Sequence, residues 1–305
     1  MPQPARQEST IPLRAVAAAL ALAALLALAG CAREAQPGPR AQRGLMDLRA
    51  HDPAASGPAH LDGQWEFHWN RLLEPRDLAP GAAPEPTGYF TMPGTWKGLV
   101  VDGEKLGGTG QATLRLRVRL WPDARRLTLR LYDIPVAYRL WADGVLVAHS
   151  GTLGADAATE RPGRSLVLAE VEPRGDEMEL VLQVSNHHFR AGGVPDGIQL
   201  APPGPLEAAR DRQRAMSFLF AGCLLIAAMY HLALFRLART LPSTLHFGIY
   251  CLFTFGYCMT SKTSLWGASL FLPPLPPLLG EYLPLFCFVA WGPFLNRFYL
   301  SLLNP

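Results

Sequence analysis

Charge is scarce in this chain: 17% of its 305 residues are Asp, Glu, Lys or Arg, against about 25% in an ordinary soluble protein. A wholly soluble protein is therefore not what the sequence describes. The balance of charge is slight as well. Twenty-eight Lys and Arg against 25 Asp and Glu leave +3, too little to hold a polyanion by neutralising its phosphates, so a nucleic-acid partner is excluded. Cysteine is missing between Cys31 and Cys223. No disulfide can brace that stretch, and a patterned region of roughly 150 residues is long enough to stand by burial alone. The remaining Cys223, Cys251, Cys258 and Cys287 lie in very apolar sequence with no Cys-x-x-Cys pair, which disfavours a metal site. There is also no nucleophile elbow, paired-histidine zinc motif or phosphate loop. The chain reads as a non-enzyme with no cofactor, no metal and no catalytic residue. Disorder is excluded for most of it by 49% hydrophobic residues, while 28 Gly and 28 Pro predict many turns.

The N-terminus has Arg6 and Arg14, then Ala15 to Ala29 almost wholly Ala, Leu and Val, then Gly30-Cys31. That order predicts a secretory signal over 1–31, too short to span a bilayer comfortably. Leu28-Ala29-Gly30-Cys31 resembles a bacterial lipobox, which would make Cys31 a lipidated N-terminus; ordinary cleavage after Ala27-Leu28-Ala29 would leave Cys31 incidental, and both readings stand. Residues 32–58 are rich in Ala, Pro, Gly, Arg and Gln without periodicity and predict a flexible linker.

Residues 205–305 contrast with everything before them. Apolar stretches at about 216–237, 245–262 and 281–300 predict three transmembrane helices, with Pro284 and Pro293 inside the third and Pro273 to Pro277 in a loop. Export places the middle region outside the bacterial cytoplasmic membrane and leaves Arg236 and Arg239 inside. Arg210, Arg212 and Arg214 oppose the positive-inside rule, so the signal decides the topology.

Between 59 and 204 the pattern has period two. Trp65, Phe67 and Trp69 alternate with Glu66 and His68; Leu114, Leu116, Val118 and Leu120 with Arg115, Arg117 and Arg119; Met178, Leu180, Leu182 and Val184 with Glu177, Glu179 and Gln183. Further strands are predicted at Leu127 to Leu131, Val136 to Trp141, Val145 to Ala148 and Leu166 to Val171, with a tight turn at Asp143-Gly144. Seven or more strands without a convincing helix predict an all-β sandwich of the jelly-roll kind, followed by the α-helical membrane region.

Leu61-Asp62-Gly63-Gln64-Trp65-Glu66-Phe67, Pro93-Gly94-Thr95-Trp96 and Gly107 to Gly110 leading into Ala112 to Val118 resemble the sugar-binding jelly roll of family 2 glycoside hydrolases. Followed by Arg139 to Gly144, Ser185 to His188 and Gly192-Gly193, they are more similar to the galactose-binding-like outer domain of bacterial seven-transmembrane receptors with diverse intracellular signalling modules. Gly222, Leu224 to Ala228, Tyr230-His231 and Leu234-Phe235 are similar to that family's first helix. The resemblance runs from about Leu61 to the end. It implies a membrane receptor, and four further helices with a cytoplasmic output module beyond Pro305.

A jelly roll that binds a sugar would use aromatic faces and a few polar groups at one rim. Trp65 and Trp69 share the phase of Phe67 and belong to the core, which leaves Trp96, Trp141, Asn186, His187 and Arg190 as candidate ligand residues. Trp96, beside the Pro93-Gly94 turn, is the freest. Arg115, Arg117 and Arg119 form a solvated strand face, and the adjacent His187 and His188 point apart, as in an ordinary strand end. In the membrane, His231 and Glu281 stand out; Glu281 either pairs with Lys262 across the outer loop or, like His231, snorkels to the interface, and both readings stand. The expected function is a periplasmic sensor that binds a small molecule or carbohydrate and signals through its helices, coupled by a stiff Pro202 to Pro205 connector; the alternative is a membrane-anchored binding module without signalling. The expected partners are the lipid bilayer, that ligand and a second copy of the chain.

Overall fold

A computed structural model describes residues 38–132, 134, 136–163, 167–261 and 277–303. The signal, Cys31, the loop of 273–276, Lys262 and the Glu281 side chain lie outside the described residues. In chain order the elements are β1 (Leu45–Asp47), a single turn α1 (Pro53–Ser56), β2 (Ala59–His60), β3 (Gly63–Trp69), a 3-10 turn (Pro75–Leu78), β4 (Gly88–Met92), β5 (Gly94–Thr95), β6 (Val100–Val101), β7 (Glu104–Lys105) and β8 (Gly110–Arg119). They continue as β9 (Leu127–Leu131), β10 (Ala137–Ala142), β11 (Val145–Ser150), β12 (Val167–Val171), β13 (Glu177–Asn186), β14 (Gly193–Val194) and β15 (Ile198–Ala201), then α2 (Pro205–Leu237), α3 (Pro242–Thr260) and α4 (Pro277–Leu303).

Two sheets face each other across one core. The larger runs β11-β10-β13-β8-β3-β4, and the smaller β12-β9-β15-β2. Every pairing along these two paths is antiparallel. The long strand β8 shares one edge between two neighbours: β3 pairs with its residues 112–115, and β1 runs parallel to Arg117, Val118 and Arg119. The inward set is the apolar phase of each strand. Trp65, Phe67, Leu114, Leu116, Val118, Met178, Leu180, Leu182 and Val184 meet Leu127, Leu129, Leu131, Val171, Ile198 and Leu200 in one buried cluster. The period-two pattern thus became the interior, and burial of each such side chain contributes roughly 1.5–3 kcal/mol. At the Asp143-Gly144 turn both residues have positive φ, 46° and 78°, which matches the twist of the flanking β10 and β11.

The outward phase of the large sheet is covered and paired at Arg115 and remains partly solvated at Arg117 and Arg119. Arg115 Nε donates to Glu179 Oε1 at 2.7 Å and Nη2 to the Leu78 carbonyl at 3.2 Å, with Glu66 Oε2 3.4 Å from Nη1. Arg119 meets Glu177 at 3.4 Å. The expectation of a solvated arginine face is corrected for Arg115, whose side chain is 15% exposed. Opposite charges across neighbouring strands neutralise it, and a strap of residues 70–78 covers it. That strap is tied by Thr113 Oγ1 to the Arg71 carbonyl (2.8 Å) and by Gln183 Nε2 to the Leu73 carbonyl (2.9 Å). Leu73, Leu78, Trp141 and Val181 form a small apolar cluster beneath it.

The outer face of the small sheet carries the start of α2. Thr128 Oγ1 donates to Glu207 Oε1 at 2.9 Å, and Glu207 Oε2 accepts from the Gly204 N–H at 2.7 Å, so one carboxylate caps the helix and holds it to β9. Arg130 reaches Gln213 on α2 at 3.3 Å and lies 4.4 Å over the Tyr132 ring. The helix starts at Pro205, so the connector is a short turn and the stiff part is the helix itself. Its 33 residues rise roughly 50 Å at 1.5 Å each.

Beyond its docked turns, α2 exposes Leu219, Phe220, Ile226 and Met229, and α4 exposes Leu285, Phe286 and Val289. Two helical segments among the described residues, Pro205–Leu237 and Tyr282–Leu303, are long and apolar enough to cross a membrane. The predicted middle span is a helix of 19 residues, α3. It packs between the others, with Gly248 against Leu232 and Gly256 against Cys287, and with Phe253 stacked on Phe294. Pro284 and Pro293 lie inside α4 as expected.

Candidate functional site

The loops that meet where β8 begins and β13 ends hold most of the candidate residues. Asn186 is fully buried: its Nδ2 donates to the Gly108 carbonyl (2.7 Å) and the Phe189 carbonyl (2.9 Å), and its Oδ1 accepts from the Phe189 N–H (3.0 Å). Trp96 Nε1 donates to the same Gly108 carbonyl at 3.2 Å. These two side chains lock loop 106–110 against loop 187–193. The glycines there serve close approach. A Cβ on Gly108 would stand 2.0 Å from the Arg190 carbonyl, and one on Gly192 would stand 2.1 Å from the Trp96 ring.

Trp96 is therefore not the free aromatic face that its neighbouring turn suggested. It is 0% exposed, with Gly192 on its face and Trp69 edge-on at 5.5 Å. Trp141 is corrected in the same way, because the strap packs on it. Asn186 is spent on the loop bonds. Trp65 is buried and Trp69 half-buried against the core, in line with their phase. His187 is half-buried, its Nε2 3.1 Å from the Gly154 carbonyl, while His188 and Arg190 are exposed. Of the five candidates, only Arg190 presents itself openly to solvent.

Two buried ionisable groups escaped sequence reasoning. His68 is 1% exposed and neither ring nitrogen has a hydrogen-bond partner. Burial, with the charges of Arg115 and Arg71 adding to it, pulls its pKa down to about 4. Glu160, in loop 151–163, is 0% exposed and its carboxylate oxygens have no partner; burial pushes its pKa above the ordinary carboxylate value. For His68 the outward strand phase suggested solvent, and the covering strap is non-local. Glu160 sits in a loop without periodicity. Among the described residues no three His, Cys, Asp or Glu side chains converge as a metal ion would require.

Another surface carries an open depression. A shallow cleft of about 690 Å³ is lined by Pro39, Arg40, Gln42, Arg43, Leu45, Asp47 and Gln64. At its edge Arg43 stands over the Tyr89 ring at 5.4 Å and its Nε donates to the Tyr89 hydroxyl at 3.4 Å.

No protein-family model and no curated protein matches the chain. Parts of solved structures do. The β-glucuronidase from Ruminococcus gnavus is 15% identical, aligned over 47% of this chain and 28% of its own, with a TM-score of 0.35. That of an uncultured Clostridium sp. is 15% identical over 48% and 29%, with a TM-score of 0.36. The chain spans less than a third of the length of either structure.

Proposed function

We propose that the chain is a membrane-anchored, receptor-like sensor: an outer jelly-roll domain on the periplasmic side binds a small polar molecule of the carbohydrate class, and its helices carry the response inward. The observation that supports this reading best is α2. One unbroken helix begins in hydrogen bonds to the small sheet, through Thr128–Glu207 and Arg130–Gln213, and ends in turns with exposed apolar side chains. A ligand acts through such a lever only by binding two arrangements of sheet and helix with different affinity. The cleft around Arg40, Gln42, Arg43 and Gln64 is the receiving surface on this reading. Guanidinium and amide groups match hydroxyl and carboxylate oxygens.

The test is titration calorimetry of the full chain in detergent micelles against neutral and acidic monosaccharides and short oligosaccharides. Binding weakened tenfold or more by Arg43→Ala supports the cleft, and no heat with any sugar sinks the carbohydrate class. A companion measurement is extraction: the native chain stays with the membrane through an alkaline wash, and recovery in the soluble fraction would overturn the anchor.

A further inference from the structure

Glu160 occupies a fixed seat. Its loop is closed by the Thr152 and Arg161 backbones, bonded at 2.8 and 2.9 Å, and it is tied to the end of β13 by Gly154 N–H to Ser185 Oγ (3.3 Å) and by His187 Nε2 against the Gly154 carbonyl (3.1 Å). Gly154 itself lies so close that a Cβ there would be 2.3 Å from the Glu160 nitrogen. The carboxyl is shut away from water while the loop is seated. The Ser185 hydroxyl and the His187 N–H face it without closing a hydrogen bond of good geometry.

Among the described residues, the charged and titratable groups around it are Asp156 and Arg161 on its own loop and His187 and His188 beyond β13. Arg161 spends its guanidinium on the Ala158 and Glu160 carbonyls, at 3.0 and 3.1 Å. Asp156 accepts from the Thr159 hydroxyl and N–H. Among the described residues no permanent cation answers the carboxylate, and a buried charge without one is costly, whereas the neutral acid is tolerated.

We propose that loop 151–163 is a proton-operated latch: it seats on the end of β13 while Glu160 holds its proton, and it releases when that proton leaves to bulk water. Burial shifts the group in the direction this requires. The sign follows from linkage. The seated state binds the proton more tightly than the released state, so seating is complete below the ordinary carboxylate range and is lost as pH rises through the higher, seated value.

Hydrogen exchange read by mass spectrometry on the full chain in micelles, corrected for the intrinsic pH dependence of amide exchange, tests it between about pH 5 and about pH 8. Peptides covering 151–163 should lose protection by up to about tenfold per pH unit as pH rises from the ordinary carboxylate range toward the higher, seated value, while β9 and β15 keep theirs. Glu160→Gln, which stays neutral, should hold the loop protected throughout. Flat protection in the native chain overturns the latch, as does a Glu160→Gln chain that loses protection in parallel with it. If Glu160→Gln fails to fold, the native profile decides alone: a loss confined to this loop supports the latch, and none refutes it.

Discussion

His68 shows how a single side chain reports what covers it. A neutral imidazole shut under the strap resists protonation that the unfolded chain accepts near pH 6.5. Stability that is intact above the unfolded value therefore drains as pH falls toward about 4, and the difference amounts to about 3 kcal/mol. Denaturant titrations of the chain in micelles across that window should show the slope, and His68→Leu should remove it; an unaltered slope would mean that the imidazole is hydrated. Asn186 tests the loop lock. Asn186→Ala strands the Phe189 carbonyl and N–H and leaves the Gly108 carbonyl to Trp96 Nε1 alone, so a loss of roughly 2–4 kcal/mol is expected in the same titration. Neither role is written in local sequence. Asn186 read as a ligand group because a polar residue at a strand end usually faces water, and only the fold brings Gly108, 78 positions away, beneath it.

At the level of elements, strands were legible and coverings were not. β9 spans the residues its alternation predicted, and the Asp143-Gly144 turn joins β10 to β11. Alternation is a local property of one strand, so a reader of the sequence meets it directly. The strap and the docked start of α2 depend on partners far apart in the chain: Leu73 with Gln183 across 110 positions, Thr128 with Glu207 across 79. Those contacts leave no periodic trace. The predicted first span began at 216, where the apolar run starts, whereas the helix begins at Pro205 because Glu207 caps it. A double-mutant cycle with Thr128→Val and Glu207→Gln should give a coupling of about 0.5–1.5 kcal/mol in thermal unfolding. Additive effects would show that the helix merely lies near the sheet.

For the molecule as a whole, the shared core sets the behaviour of the two sheets. Leu116 from the larger and Leu129 from the smaller sit in one cluster, so neither sheet has an interior of its own to fall back on. Leu116→Ala and Leu129→Ala should each cost about 2–5 kcal/mol and move one common transition, followed by tryptophan fluorescence. Two separable transitions would split the sheets into independent units. The same core gives the points of entry and departure a mechanical meaning. The chain joins the β-layers through β1, laid along β8 in the larger sheet, and departs through α2, seated on the smaller one. Tension on the leading segment must therefore cross the full thickness of packed side chains before it can turn the helix, and the rigidity of that filling governs how much of a tug at one end arrives at the other.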